Sequence, residues 1–233
     1  MKKGLLCLLL LMVLLLASGA WAEEQVASIH ITSKDMLSLT GKDQEAKGYF
    51  EYRGLDGEEV KGYITAEVMG TLSLSYPKKN YNIRFYSDAD CAKSINVQFR
   101  KEWGSHSKYC MKANWVDITH ARNIVSSRLY AQAQAQYGLF PDSPNNGQVD
   151  GFFVEVYVNG NYHGLYTLNI PKSSWLFGLD KKTDNHVAMM ARSTDPQSAA
   201  AFAREAAAEN KVEWEIEVGP DKRRRMWSIV SRC

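Results

Sequence analysis

Lys112-Ala-Asn-Trp-Val-Asp117-Ile-Thr119-His-Ala-Arg122-Asn123 leads into the longest helix that the sequence predicts, and the flanking segments are read from it. Asp117 is of a type that caps helices, and Ile118, Ala121, Val125, Leu129 and Ala133 recur at helical spacing, so a helix is expected from Asp117 to Tyr137 with that face inward. Gly138 supplies the C-terminal stop, and Pro141 and Pro144 prevent the helix from resuming.

Everything upstream of this helix alternates. Ser28 to Thr32, Gly48 to Tyr52, Val60 to Val68 and Tyr81 to Tyr86 interleave apolar and polar residues as half-buried strands do, with Gly54-Leu-Asp-Gly57 as a turn. Downstream, Val149 to Val158 and Tyr162 to Ile170 form two further strands joined by Asn159-Gly160, a strong hairpin signal. Gly164 inside the second of these predicts a bulge or a close backbone approach. A short helix is expected from Pro171 to Trp175, an Ala-rich one from Ser198 to Glu209, and a last strand from Lys211 to Val218. The expected class is α+β: a β-rich lobe packed by the long helix and a β-hairpin.

The ends differ from the body. Lys2 and Lys3, the apolar run Leu5 to Ala17, and Ala20-Trp21-Ala22 have the layout of a secretory signal peptide, so residues 1–22 are expected to be removed and the rest exported to the cell envelope or beyond. The run is too short for a comfortable bilayer span, and no second one exists. Lys2, Lys3 and the tail residues Lys222, Arg223, Arg224, Arg225 and Arg232 account for seven of the 28 basic residues, which leaves 21 against 25 acids between Glu23 and Pro220. That balance gives no electrostatic case for nucleic acid as a partner. Cys91 and Cys110 either pair after export, a loop closure worth roughly 3 kcal/mol, or stay free as buried thiols. The five histidines are scattered, and no Cys/His cluster points to a metal.

Three clusters carry the possible chemistry. Tyr76-Pro77-Lys78-Lys79 enters the Tyr81 strand, and adjacent lysines on extended backbone point to opposite sides, so at most one enters a cleft. A nucleotide-using enzyme needs such a cation against phosphate oxygens, whereas strand-edge lysines in water are the plainer reading. Arg84, at even spacing from Lys78, is expected on its face. Asp117, Thr119, Arg122 and Asn123 crowd one helix start, where the cap is the plainer reading and an anion site the sharper one. His163 lacks a nucleophile motif beside it and reads as a surface or core histidine. Trp115, Tyr157, Tyr166 and Trp175 are expected in the core.

The ordered series Tyr76-Pro-Lys-Lys-x-Tyr-x-Ile83, Lys112-Ala-Asn-Trp-x-Asp-x-Thr-x-x-Arg-Asn123 and Asn159-Gly-x-Tyr-x-Gly-Leu-Tyr-Thr-Leu168 resembles the spore-coat protein H (CotH) family of atypical kinases. The resemblance implies the front portion of an atypical protein-kinase-like fold within residues 23–220, ATP with Mg or Mn as cofactors, and protein serines as substrate. It makes Lys78, Lys79 and Arg84 candidates for phosphate contact, Lys79 first, with Asp117, Arg122 and Asn123 supporting the cleft. The catalytic carboxylates that the family carries later have no comparable setting here, and Asn169 stands where many relatives have an acid. Without them, little turnover is expected. Beyond Pro220 the acidic, alternating sequence gives way to Asp221-Lys-Arg-Arg-Arg-Met-Trp, which reads as a shifted reading frame or as an ordinary basic tail, residues 221–233. The competing reading is a non-enzymatic extracellular binding module.

Overall fold

The computed structural model describes residues 26–180, 188–193 and 212–218. The expected leader, Ala-rich helix and basic tail lie outside these residues. Seven strands close a barrel: β1 (Ala27–Thr32), β2 (Glu45–Arg53), β3 (Glu59–Met69), β4 (Asn80–Tyr86), β5 (Lys108–Lys112), β6 (Gly151–Val158) and β7 (Asn161–Asn169), in the order β1-β2-β3-β4-β5-β7-β6. One α-helix, α1 (Arg122–Gln136), lies outside it, and β8 (Ala188–Ser193) pairs with β9 (Val212–Val218) in a separate two-stranded sheet.

The expected class is met loosely: the described chain is mostly β, with the one long helix and the β-hairpin both present. The expected strands all form, with ends shifted by a few residues. The alternation that predicted them becomes the inside and outside of the barrel wall. Ile29, Ile31, Phe50, Ile64, Ile83, Phe85, Tyr109, Met111, Val154, Val156, Tyr166 and Leu168 point inward and are at most 1% exposed. Phe50, Tyr52, Phe85, Phe99 and Tyr109 meet ring to ring at 4.7–6.1 Å, mostly edge to face, the arrangement that aromatic quadrupoles favour. Closure depends on a pairing that adjacency in sequence does not suggest: β1 runs parallel to β6, Ala27 opposite Val154 and Ile31 opposite Val158.

Both turn signals are realised. Asn159 (φ 51°) and Gly160 (φ 81°) both adopt the left-handed region, as a two-residue turn between β6 and β7 requires. After α1, Gly138 (φ 65°) lets its own amide reach Ala135 O at 3.1 Å and the Leu139 amide reach Gln134 O at 3.1 Å, which satisfies two orphan carbonyls of the last turn. Pro171 to Trp175 forms bends and turns in place of the expected helix, with amides of residues 176–179 returning to carbonyls of residues 173–175.

The helix differs from expectation in start and in phase. It begins at Arg122, with Ala121 as its N-cap, and buries only Ile124 and Ala131. Ile118 (91% exposed), Val125 and Leu129, expected inward, face outward. The phase is set by a polar anchor, not by the apolar stripe. Arg128 Nε donates to Asp150 Oδ1 at 2.7 Å, and its second nitrogen reaches Gly151 O at 2.9 Å. Trp103 Nε1 donates to the other carboxylate oxygen at 3.0 Å. Asp150 is only 6% exposed, so both bonds replace lost water. Turning this face inward brings Ile124 and Ala131, at i−4 and i+3 from Arg128, with it.

Arg128→Ala leaves the buried Asp150 carboxylate with the indole alone. Breaking a fully buried pair costs about 3–5 kcal/mol; since Arg128 is itself half in water, about 2 kcal/mol is expected. A lower denaturant midpoint with an unchanged slope checks this.

Candidate functional site

A lysine closes one end of the barrel. The segment ahead of β4 makes a 3₁₀ turn, Leu72–Ser75, and then runs extended through Tyr76. On extended backbone the two following lysines separate. Lys79 folds back onto the turn, donating to Leu74 O at 2.6 Å and Tyr76 O at 2.7 Å, so its ammonium satisfies carbonyls that end the turn. Lys78 goes inward. Its Nζ donates to Leu165 O, lies 3.4 Å from Ala113 O, and sits 4.2 Å from the centroid of the Tyr166 ring. Partial burial pushes its pKa below the usual lysine value.

Gly164 makes room for this side chain. Its φ is +128°, and a Cβ there would meet Lys78 Cε at 3.1 Å and Nζ at 3.3 Å. The register shows why the backbone bends here. Val156 pairs with Gly164 while Tyr157 pairs with Tyr162, so His163 is the extra residue of a bulge. The bulge turns His163 toward the barrel end, where its ring stacks on Tyr166 at 5.7 Å and 15°. Tyr81 from β4 completes the ring group, 6.4 Å from His163 and 6.5 Å from Tyr166.

The loop from β5 to α1 brings a second histidine. Asn114 (φ 46°) and His120 (φ 56°) both sit in the left-handed region, which non-glycine residues adopt at a cost and which recurs at functional sites. Asn114 Nδ2 holds the loop to the barrel through Thr167 Oγ1 at 3.0 Å and closes the loop on itself through His120 O at 3.4 Å. Asp117 organises the rest: its carboxylate accepts from the Thr119 hydroxyl at 2.7 Å, the Thr119 amide at 3.1 Å and the Arg122 amide at 2.9 Å, and it pairs with Arg122 Nε at 3.5 Å. Asp117 is thus not the N-cap, yet it still satisfies an orphan amide of the first helical turn, from five residues back. These contacts, the Thr119 hydroxyl foremost, hold its carboxyl below the usual range.

His120 Nδ1, His163 Nε2 and Tyr166 OH are buried and have no hydrogen-bond partner among the described residues. Burial and then the Lys78 charge depress the pKa of both imidazoles, while Asp117 acts on His120 in the opposite sense. Burial also raises the phenols of Tyr81 and Tyr166, so both stay protonated. An ammonium, two imidazoles and a phenol, three of them with unfilled polar atoms, suit an oxyanion. They do not suit a metal: among the described residues no group of three or more His, Cys, Asp or Glu lies where it could hold one.

The remaining sequence candidates fall elsewhere. Arg84 is exposed on the outer wall of β4, paired with Thr65 and Lys108; Lys78 precedes the strand, so the two do not share a face as expected. Asn123 is exposed on the first turn of α1. Cys91 and Cys110 are free thiols with separate neighbours, Ile64 O at 3.6 Å and Asn82 Oδ1 at 3.4 Å. Tyr166 is in the core as expected, whereas Trp115 is 53% exposed. Asn169 is buried and accepts from the Thr167 hydroxyl at 2.7 Å. Neither His120 nor Asn114 carries a local sequence signal; the signal for His163 is the neighbouring Gly164.

A family model described as CotH kinase protein matches residues 66–215, more than half of the chain, and spans the Lys78 segment, the loop and the hairpin. No curated protein matches.

Two outcomes test the architecture. Gly164→Ala forces a side chain into a glycine-only conformation and against Lys78, and should cost on the order of 1–3 kcal/mol in denaturant unfolding. Asp117 is held low when folded, so its stabilising share is present above about pH 4 and is lost as pH falls through its folded value. The stability gap between the protein and Asp117→Asn should therefore shrink on acidification below about pH 4, read from unfolding at stepped pH.

Proposed function

The chain belongs to the CotH kinase family, and we propose that it uses the Lys78 end of its barrel to hold the phosphates of a nucleotide, as an atypical protein kinase acting on protein serines would. The observation that carries this reading is the half-buried Lys78 ammonium over the Tyr166 ring, with its charge acting on His120 and His163, whose buried nitrogens have no partner among the described residues. Lys78 takes the role of phosphate contact in preference to Lys79, whose ammonium is committed to two carbonyls. A cation in a low-dielectric setting acts more strongly on phosphate charge than one in water, and its carbonyl anchor positions it beforehand.

ATP, when bound, would supply the transferable phosphoryl group, and the family implies a divalent metal with it. The protein's part lies in binding and orientation: Lys78 meets phosphate oxygens, Asn114 and Asp117 hold the loop that faces them, and Tyr81 and Tyr166 wall off water. No transfer step is assigned, because the described residues offer no carboxylate set for a metal. We accordingly take the chain by itself to bind without useful turnover. Export through residues 1–22 is part of the same proposal and would place this activity at the cell envelope or outside.

Isothermal titration with ATP in magnesium tests the reading. Binding should weaken at least about tenfold in Lys78→Met and much less in Lys79→Met, with thermal melts confirming that both variants fold. Absence of binding, or equal effects of the two variants, would sink it. A non-enzymatic binding module is the second reading. It is favoured by Trp115, Val116 and Ile118 before α1, and by Val125, Leu129 and Tyr137 on or just after it, all more than half exposed. A cooperative, stable protein that ignores every nucleotide would support that alternative.

A further inference from the structure

We infer that His120 and His163 form, with Lys78, a proton-coupled oxyanion subsite: an anion seated against the lysine draws a proton onto one or both imidazoles. The inference rests on the reading of Lys78 as a phosphate contact and adds the groups that would surround the phosphate and the way pH would regulate its binding.

The geometry comes from three separate elements. Lys78 enters from the strand approach of β4, His163 from the bulge of β7, and His120 from the strained loop before α1. His120 Nδ1 and His163 Nε2 are each buried without a partner among the described residues, an arrangement that costs free energy and calls for a ligand. Among the described residues, the titratable groups that act on the site are Lys78 and Tyr81 from the β4 side, Tyr166 from β7, and Asp117, which acts on His120 from the loop. The nearby acceptors, Leu165 O and Ala113 O, are already engaged with Lys78.

The electrostatics then run in one direction. Without an anion, burial and the lysine keep both imidazoles neutral near pH 7. A neutral imidazole can present either a donor or a lone pair at the unfilled nitrogen, and a lone pair repels an oxyanion. A negative charge at the lysine offsets the cation that suppressed protonation, raises both histidines, and converts the unfilled nitrogens to donors. Protonation and anion binding therefore reinforce each other, as linkage requires. A structural pair of histidines would show no such coupling. Neither His30, stacked on Tyr157 at 4.7 Å, nor His106, stacked on Trp175 at 4.3 Å, belongs to this site, so both serve as internal controls.

The experiment is an NMR titration of the histidine ring protons of the full chain from pH 5 to 8, with and without inorganic sulfate. Sulfate carries no titrating proton in this range, so every shift belongs to the protein. His163→Gln and His120→Gln assign the signals, and unchanged control histidines show that each variant is folded. Saturating sulfate should raise His120, His163 or both by about one pH unit or more, leave His30 and His106 in place, and lose its effect in Lys78→Met. Sulfate affinity should correspondingly rise as pH falls, by up to about tenfold per unit for each proton taken up. Unmoved His120 and His163 titrations, or movement of His30 and His106 equal to theirs, overturn the inference. ATP binding without movement of either residue under sulfate or ATP overturns it too, and spares the nucleotide reading. Coupled movement under sulfate with no ATP binding supports the subsite and removes the nucleotide.

Discussion

Closure of the sheet is the constraint on which the rest depends. β1 is the first described strand and β6 begins more than a hundred residues later, yet their parallel pairing joins the two ends of the sheet. A closed sheet leaves no edge to protect, and its interior has to be filled by its own side chains. Aromatic rings fill it from Phe50 and Phe85 to Tyr109, and at the end where β4 begins the filling turns polar. There the wall is interrupted by a bulge and by a glycine, and a lysine occupies the gap. A fully apolar plug at that end would be more stable and would have nothing to bind.

The polar end is balanced on desolvation. Lys78 gives up part of its hydration and recovers it through a carbonyl and a ring face, contacts that compensate without neutralising. Among the described residues no carboxylate pairs with it; the acid that acts on the group, Asp117, is committed to Thr119, to Arg122 and to the first amide of α1. The resulting excess of positive charge is a standing electrostatic demand on that end of the molecule. It makes the site selective for anions in general, and the shape around it, rather than the charge, has to distinguish one from another.

The elements legible in the sequence were those governed by local rules. Alternation gave the strands, Asn159-Gly160 gave the hairpin, Gly138 the helix stop, and Gly164 both the bulge and the close approach. What escaped depends on contacts distant in sequence. Nothing near Ala27 announces its pairing with Val154. The short β5 has too few residues to alternate convincingly. The helix phase departs from its apolar spacing because that spacing assumes that apolar burial decides, and here the ion pair of Arg128 with Asp150 decides. The site followed the same division: Lys78 could be named from its motif, but its separation from Lys79 required the turn at Leu72–Ser75 and its acceptors. His120 carries no local signature. Its strained φ and its buried Nδ1 exist only in the folded loop.

The same ion pair ties the helix to the site. Asp150 immediately precedes β6, its carbonyl accepts the Ile170 amide just past β7, and its carboxylate fixes Arg128 and hence the rotation of α1. That rotation determines where the first helical residue, Arg122, emerges, and Asp117 is held to the Arg122 amide and guanidinium. Asp117 in turn accepts through its carbonyl the amide of His120 at 2.9 Å. A rotation of α1 that buried Val125 and Leu129 would carry Arg122 around the axis by roughly a quarter turn or more, since each residue advances about 100°. The loop could then no longer keep both Asn114 on Thr167 and His120 within reach of the lysine charge. The apolar residues left in water on α1 are thus the counterpart of a loop held in the position that the site needs.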